Sequence, residues 1–377
     1  MRAHDIARTL IVVAIALAAA APAFALPTMI RLSYTGCATC HYAPQGGGPL
    51  TPYGKGIDQA QSLRGGEYQA AVDEHRRLTH DLRLVLQQQS TWVDNQARPN
   101  GFRPRLMYRN VTALSKAFRV SGVATIEGAS ALRPARSYDP PSRASTVFVN
   151  TALVHYRPRD TIEFAAGRDQ LPSGVNVPDL ATFIKSRNRL GYYDAPTQLK
   201  MFWWGKRHQV TPFVYGPSGN EASGEHEKGG GTLAEFDVLG NQRTVVGTTI
   251  LKGSARNGDR RLLGGYARLG FGRWGILTEH DVTDRTRTNV TTGAFRQHAT
   301  YAQVFWATRE WLVLSGVGER LRVEQPFAQR LNAARFEVAA RLASEATIVF
   351  TTRVEKNLMT GQLSKSVTLQ TAFKTVR

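Results

Sequence analysis

The chain has 377 residues, with 48 lysines and arginines against 29 aspartates and glutamates, a formal charge of +19. A hydrophobic share of 42% excludes a disordered polyelectrolyte, and 34 glycines favour turns and tight strands over long helices. A chain of this length holds two or three ordinary domains or one large barrel.

Residues 1–25 read as an export signal. Arg2 and Arg8 supply a positive start, "LIVVAIALAAA" (10–20) an apolar stretch, and Ala23-Phe24-Ala25 a small-x-small cleavage site. No later run of 18 apolar residues suggests a spanning helix. The mature chain is therefore expected outside the cytoplasm, which argues against nucleic acid as a partner in spite of the basic charge.

Both cysteines of the chain lie in "GCATCHY" (36–42). C-x-x-C-H is the attachment pattern of c-type haem. Two thiols separated by two residues match the two vinyl groups on one porphyrin edge, and the next residue lies under the ring. Cys37 and Cys40 are thus expected to hold one haem covalently, with His41 as the proximal ligand of its iron. A thioredoxin-like pair lacks its βαβ surroundings, and a zinc site lacks a second pair of ligands. A plain Cys37–Cys40 disulfide is the remaining alternative. For the sixth iron position the candidates are Met29, His75 and His80, or an open site. The two histidines sit in "EYQAAVDEHRRLTH" (67–80), which has helical character.

From Leu82 onward the apolar period becomes two. In "RFEVAARL" (335–342), Phe336, Val338, Ala340 and Leu342 fall on one face and Arg335, Glu337, Ala339 and Arg341 on the other. Segments 346–355 and 119–127 repeat the pattern. Sixteen strands are predicted, near 82–92, 103–114, 117–128, 146–156, 161–168, 197–204, 209–215, 232–238, 244–252, 261–269, 274–281, 300–308, 311–319, 334–342, 347–355 and 366–374. Short links such as Ser115-Lys116 and "GKRH" (205–208) alternate with longer ones at 129–145, 169–196, 216–231, 282–299 and 320–333. That alternation is the mark of an outer-membrane β-barrel, and a closed barrel leaves no strand edge in lipid. Trp203, Trp204, Tyr215, Trp274, Trp306 and Trp311 lie near strand ends and suit interfacial girdles. Gly270-x-Gly272-x-x-Gly275 matches a dinucleotide fingerprint only in letters; a strand follows it, so it reads as a turn.

The segment "SYTGCATCHYAPQGGGPLTPYGKGID" (33–58) carries Thr35-Gly36 before the haem box and Leu50-Thr51-Pro52-Tyr53-Gly54 after it. With an export signal ahead and a barrel behind, the chain resembles the fused monohaem cytochrome–porin family of outer-membrane proteins, whose best-known members are iron oxidases. Here one residue separates Thr35 from Cys37, and the spacer carries Gly46-Gly47-Gly48. The resemblance implies a small α-helical cytochrome c domain over 26–81 and a barrel of about sixteen strands over 82–377. It also implies electron transfer between an extracellular donor, with Fe(II) as one candidate, and a periplasmic carrier such as a cytochrome or cupredoxin. A solute porin that the haem domain gates or docks is the alternative. A haem peroxidase finds no acid–base constellation near the motif to support it.

The positive charge has two readings. Loop arginines can anchor lipopolysaccharide phosphates in the outer leaflet. Alternatively, Arg133, Arg136, Arg187 and Arg189 attract anionic metal complexes, while Arg157, Arg159, Lys206 and Arg207 steer an acidic periplasmic carrier.

Overall fold

The structure is a computed structural model. It describes residues 27–34, 37–42, 45, 49–63, 78–128, 147–177, 182–191, 194–217, 226–256, 258–287, 293–326, 328–343 and 345–375. The expected export segment, Thr35-Gly36, Gly46 to Gly48, His75, Arg133 and Arg136 lie outside these residues.

Sixteen long antiparallel strands form: β1 Leu78–Val93, β2 Gly101–Ala113, β3 Phe118–Glu127, β4 Val147–Arg159, β5 Ile162–Arg168, β6 Thr197–Trp204, β7 His208–Gly216, β8 Lys228–Asp237, β9 Thr244–Ala255, β10 Gly258–Phe271, β11 Trp274–Arg287, β12 Gly293–Arg309, β13 Leu312–Val323, β14 Gln329–Ala343, β15 Ala346–Asn357 and β16 Leu363–Lys374. Each pairs with its successor. β1 pairs with both β2 and β16, the latter from Arg83↔Lys374 to Val93↔Ser364, so the sheet closes. Gln96–Ala97 adds a two-residue return onto the end of β1.

The period of two decides which way each residue faces. On β14, Phe336 is exposed on the outside while Arg335 and Arg341 are buried toward the lumen. On β3, Ile126 is exposed and Thr125 and Glu127 are buried inside. The apolar face is therefore the exterior, the arrangement that lipid demands. Aromatic pairs ring the short-turn end on that exterior: Phe118–Tyr156 at 4.5 Å, Trp203–His208 at 5.1 Å and Trp274–Trp306 at 5.1 Å between ring centres. Trp204 and Tyr215 do not belong to this girdle. Parity turns both inward, where Trp204 Nε1 donates to Gln209 at 3.0 Å and Tyr215 is buried. Trp311 sits half-buried in the turn between β12 and β13.

Three element expectations need correction. The first strand begins at Leu78 rather than Leu82, because pairing with β2 starts at Leu78↔Thr112; residues 78–80 are extended, not helical. The long links expected at 282–299 and 320–333 are mostly strand. Here the alternation runs the other way round, with Phe295, Leu321, Val323 and Leu331 buried inside and Arg296, Arg320, Arg322 and Arg330 outside. The walls on this flank project past the apolar band, so their outward positions become charged.

The segment expected as the loop 169–196 is not an external loop. Its described residues fold into the lumen around the short helix α2, Phe183–Ser186. Val175, Phe183 and Ile184 join Leu277, Tyr301, Phe305 and Leu321 in one core inside the barrel. Wall carboxylates hold the backbone: Val175 N donates to Glu279 at 2.7 Å and Phe183 N to Glu319 at 2.6 Å.

Inverting the outer face should be costly in a depth-dependent way. Ala302→Arg, outward and near mid-height on β12, is expected to destabilise the barrel by about 2–4 kcal/mol in bilayers, whereas Arg296→Ala at the band's edge should leave its stability unchanged. Denaturant titration of refolded protein, read by heat-modifiable gel mobility, measures both.

Candidate haem-attachment site in the barrel lumen

The described N-terminal residues form two 3-10 turns, Pro27–Leu32 and Cys37–Thr39, and one helix, α1, Pro52–Ala60. Local chemistry explains α1. Thr51 is its N-cap, with the side-chain oxygen accepting from Gly54 N at 3.0 Å, and Pro52 occupies the first turn where no donor is needed.

The haem box is one tight turn. Cys40 N donates to Cys37 O at 3.2 Å and His41 N to the same oxygen at 2.9 Å. Both cysteines are free thiols, so the disulfide alternative is not formed. The L-T-P-Y-G element lies directly against this turn. Leu50 bridges His41 as a strand pair, Thr51 N donates to Cys40 O at 2.9 Å, and a Cβ on Gly54 would overlap the Cys40 carbonyl. Only glycine at 54 lets α1 approach so closely. Two motif halves ten or more residues apart are thus one packed unit.

Inward-facing wall residues clamp that unit inside the short-turn half of the barrel. Asp58, one helical turn beyond Gly54, is buried between Lys374 at 2.7 Å and Arg341 at 3.3 Å. Leu63 N donates to Arg341 O at 2.8 Å. Arg31 pairs with Glu310 at 3.0 Å and also bonds Gln61. Ile30 enters the lumen core, and a Cβ on Gly270 would come within 2.6 Å of the Ile30 carbonyl. The glycine run 270–275 is a turn at Gly272, as expected, but Gly270 also makes room for this segment.

A second network reaches the residue after His41. Arg119 Nη2 donates to the Tyr42 carbonyl at 2.9 Å and pairs with Glu163 at 2.5 Å. Glu163 also holds His155 Nδ1 at 2.8 Å, and His155 Nε2 meets Ser121 Oγ at 2.7 Å. The last three resemble a nucleophile–base–acid set. His155 is 0% exposed, so a substrate has no access and the set is a buried polar strut. Further along the lumen, Gln45 is gripped by Lys200, and its carbonyl accepts from Asn176 Nδ2 at 2.5 Å.

Of the sixth-ligand candidates, Met29 lies on the turn Pro27–Leu32, inside the lumen with the haem box. His80 does not. It stands exposed on the outer face of β1, 6.2 Å from the Tyr108 ring, so the barrel wall separates it from Cys37 and Cys40. Arg187 lies on the segment that folds into the lumen. Its carbonyl accepts from Gln297 Nε2 at 3.2 Å inside the lumen.

Burial pushes the Cys37 thiol up to about 11, and burial followed by Asp58 raises that of Cys40. Both are held as neutral thiols, which disfavours a thiolate metal site. At the open face Tyr34 and Tyr53 share a 2.6 Å hydrogen bond, which with burial lifts Tyr34 to about 12. Sequence reasoning missed Asp58, Arg119 and Gly270. Asp58 had a readable signal in its i+4 spacing from Gly54.

No protein-family model matches the chain, and no curated protein matches it. Solved structures do. An anion-selective porin from Comamonas acidovorans aligns with TM-score 0.59 at 10% identity, covering 79% of this chain and 100% of that one. OprB of Pseudomonas putida aligns with TM-score 0.59 at 10% identity, covering 80% and 95%. The in-vitro folded trimer form of OmpT from Vibrio cholerae aligns with TM-score 0.58 at 9% identity, covering 79% and 99%. The shared feature is the fold, a closed sixteen-stranded barrel of the outer-membrane porin kind.

Two outcomes follow from the site. In protein refolded without haem, Cys37 should be alkylated by iodoacetamide at pH 8 about a hundredfold more slowly than a free thiol, because so little thiolate is present. Asp58→Asn strands two buried cations and should weaken docking of α1 by about 3–5 kcal/mol. Hydrogen exchange of the α1 amides reads this as lost protection while the strands stay protected.

Proposed function

We propose that the chain is an outer-membrane electron conduit: a porin-like barrel carrying one covalent haem c in its periplasmic mouth, passing electrons between an extracellular donor and a periplasmic carrier. The carrying observation is that the C-x-x-C-H turn sits inside the barrel wall at the short-turn end, clamped by Asp58, Arg31 and Arg119.

The residues present fit a haem. Cys37 and Cys40 lie on one turn and are unbonded to each other, His41 follows on the same turn, and Gly54 lets α1 back that turn at close range. Cys37 and Cys40 would hold the group through thioethers and His41 would ligate its iron, with Met29 as the sixth-ligand candidate that shares the lumen. When bound, the group supplies reversible one-electron chemistry. The chain supplies the rest. Apolar groups around Ile30, Val175 and Phe183 exclude water from one side of the lumen. The two ion-paired clamps hold the turn at a constant depth. The exposed Tyr53 and its partner Tyr34 lie on the periplasmic side, where a carrier (cytochrome or cupredoxin) would dock. Exposed Lys116, Arg159, Lys206, Arg207, Arg243, Arg273 and Arg309 around the short turns would steer an acidic one. The donor, Fe(II) or an anionic metal complex, would arrive from the long-link side.

One observation favours the second reading, a gated solute porin. Inward residues Gln87, Gln89, Ser366, Thr368 and Gln370 on β1 and β16 are half-exposed, so a hydrated crevice runs along that wall. The two readings separate on one experiment. In intact cells, a membrane-impermeant external reductant should reduce the haem, and His41→Ala should abolish electron flux without changing solute uptake. If the external reductant leaves the haem oxidised, or if His41→Ala alters only uptake, the conduit reading fails.

A further inference from the structure

Many of the positive charges in the lumen stand against carboxylates: Arg103 with Glu127, Arg109 with Asp81, Lys200 with Asp169, Arg268 with Glu235 and Arg353 with Glu319, while Arg83 stands beside Arg105 and Arg109. One concentration lies elsewhere, on the outside of the barrel at the long-link ends of β9 to β15. Lys252, Arg261, Arg296, Arg320, Arg322, Arg330 and Lys356 all point outward and are exposed there. Among the described residues the carboxylates beside them are Asp259, Asp284 and Glu324. Asp284 is engaged by Arg296 at 2.7 Å, and Glu324 lies 3.8 Å from Arg322.

Register makes this a continuous patch. Lys252 faces Arg261, Arg261 faces Asp284, and Asp284 faces Arg296 across successive strands. His298 faces Arg322, and Arg322 faces Arg330. Asn332 lies between Arg320 and Lys356. Like charges directly opposite on a sheet are destabilising unless an anion lies between them. The Arg322–Arg330 pair and its neighbours are such a place.

Height says which anion. Arg296 is about ten residues along β12 from the girdle residue Trp306, and Arg261 about ten along β10 from Phe271. At about 3.3 Å per residue and a tilt near 40°, that is about 25 Å, the height of the apolar band. Arg296 and Arg261 therefore stand at the external edge of the hydrocarbon, level with lipid headgroups; Arg322 and Arg320, facing His298 and Thr300, lie one and two rungs below Arg296, from where a long side chain reaches that edge. Among the described residues the opposite flank carries no such row. There the outward residues near the long-link ends include Phe102, Ile126, Val147, Leu199 and Val214, all exposed and apolar, with Arg168 half-buried among them. Among the described strands the basic row is thus a feature of one flank.

We infer that the outward face of β12 to β14, centred on Arg320, Arg322 and Arg330, binds the phosphate groups of a phosphorylated glycolipid in the outer leaflet. The arginines lie on strands, not on the loops that the sequence suggested. This does not depend on the haem.

The test uses the purified full chain in neutral detergent and bis-phosphorylated lipid A, with binding read by native mass spectrometry. R320Q/R322Q/R330Q should bind about a hundredfold more weakly, and Arg322→Gln alone about fivefold. A dephosphorylated analogue with the same acyl chains should match the loss, inorganic phosphate should compete only at high concentration, and K116Q/R159Q at the other rim should leave lipid A binding at the wild-type level. All the substituted side chains are solvent- or lipid-facing, and heat-modifiable mobility confirms folding. Unchanged lipid A binding by the triple or the single variant, or equal binding of the dephosphorylated analogue, overturns the inference.

Discussion

Closure of the sheet in lipid is the constraint on which the rest depends. Once β1 pairs with β16, every strand has one face toward hydrocarbon and one toward an enclosed space. The same alternation that would make a soluble sheet bury its apolar side here exposes it, with Phe336 and Ile126 outside and Arg335, Arg341 and Glu127 inside. A polar interior in turn makes a place where charged clamps are affordable. Asp58 between Lys374 and Arg341, and Glu163 between Arg119 and His155, are buried pairs that satisfy one another.

The clamps tie a short N-terminal segment to the wall. The described residues of that segment offer little apolar surface of their own: one helix of nine residues and two 3-10 turns. It is stabilised by what surrounds it. Ile30 borrows the lumen core built by Leu277, Phe305 and Val317, and the backbone of the inward-folded segment 169–196 supplies the same core with Val175 and Phe183. Electron transfer across an otherwise insulating wall, as proposed, uses this dependence: the barrel fixes the depth of the C-x-x-C-H turn, and the turn needs no independent fold.

Much of the fold was legible because the strand signal is local. Parity in 335–342, 346–355 and 119–127 located strands and faces, and short turns at Ser115-Lys116 and 205–208 marked one end. Legibility failed where the two faces exchange character. Around Arg296 and Arg320 the outward side leaves the apolar band, so apolar-in and polar-out replaced the expected pattern and strand was read as link. Trp204 and Tyr215 were misplaced because proximity to a strand end does not fix parity. In the site, spacing alone singled out Cys37, Cys40 and His41 as the candidates for haem attachment. Arg119 and Gly270 were invisible, since their roles arise only when segments about 80 and 240 residues away in sequence come beside them. His80 misled because a histidine in a polar stretch reads alike on a helix and on the outer face of a strand.

The most direct measurement of the central claim is the intact mass, after acid denaturation, of the protein purified from outer membranes. The account predicts a single species heavier than the bare polypeptide by one haem, with the added mass retained on the peptide holding Cys37, Cys40 and His41. A chain carrying no added tetrapyrrole, with Cys37 and Cys40 recovered as thiols or as a disulfide, would contradict it.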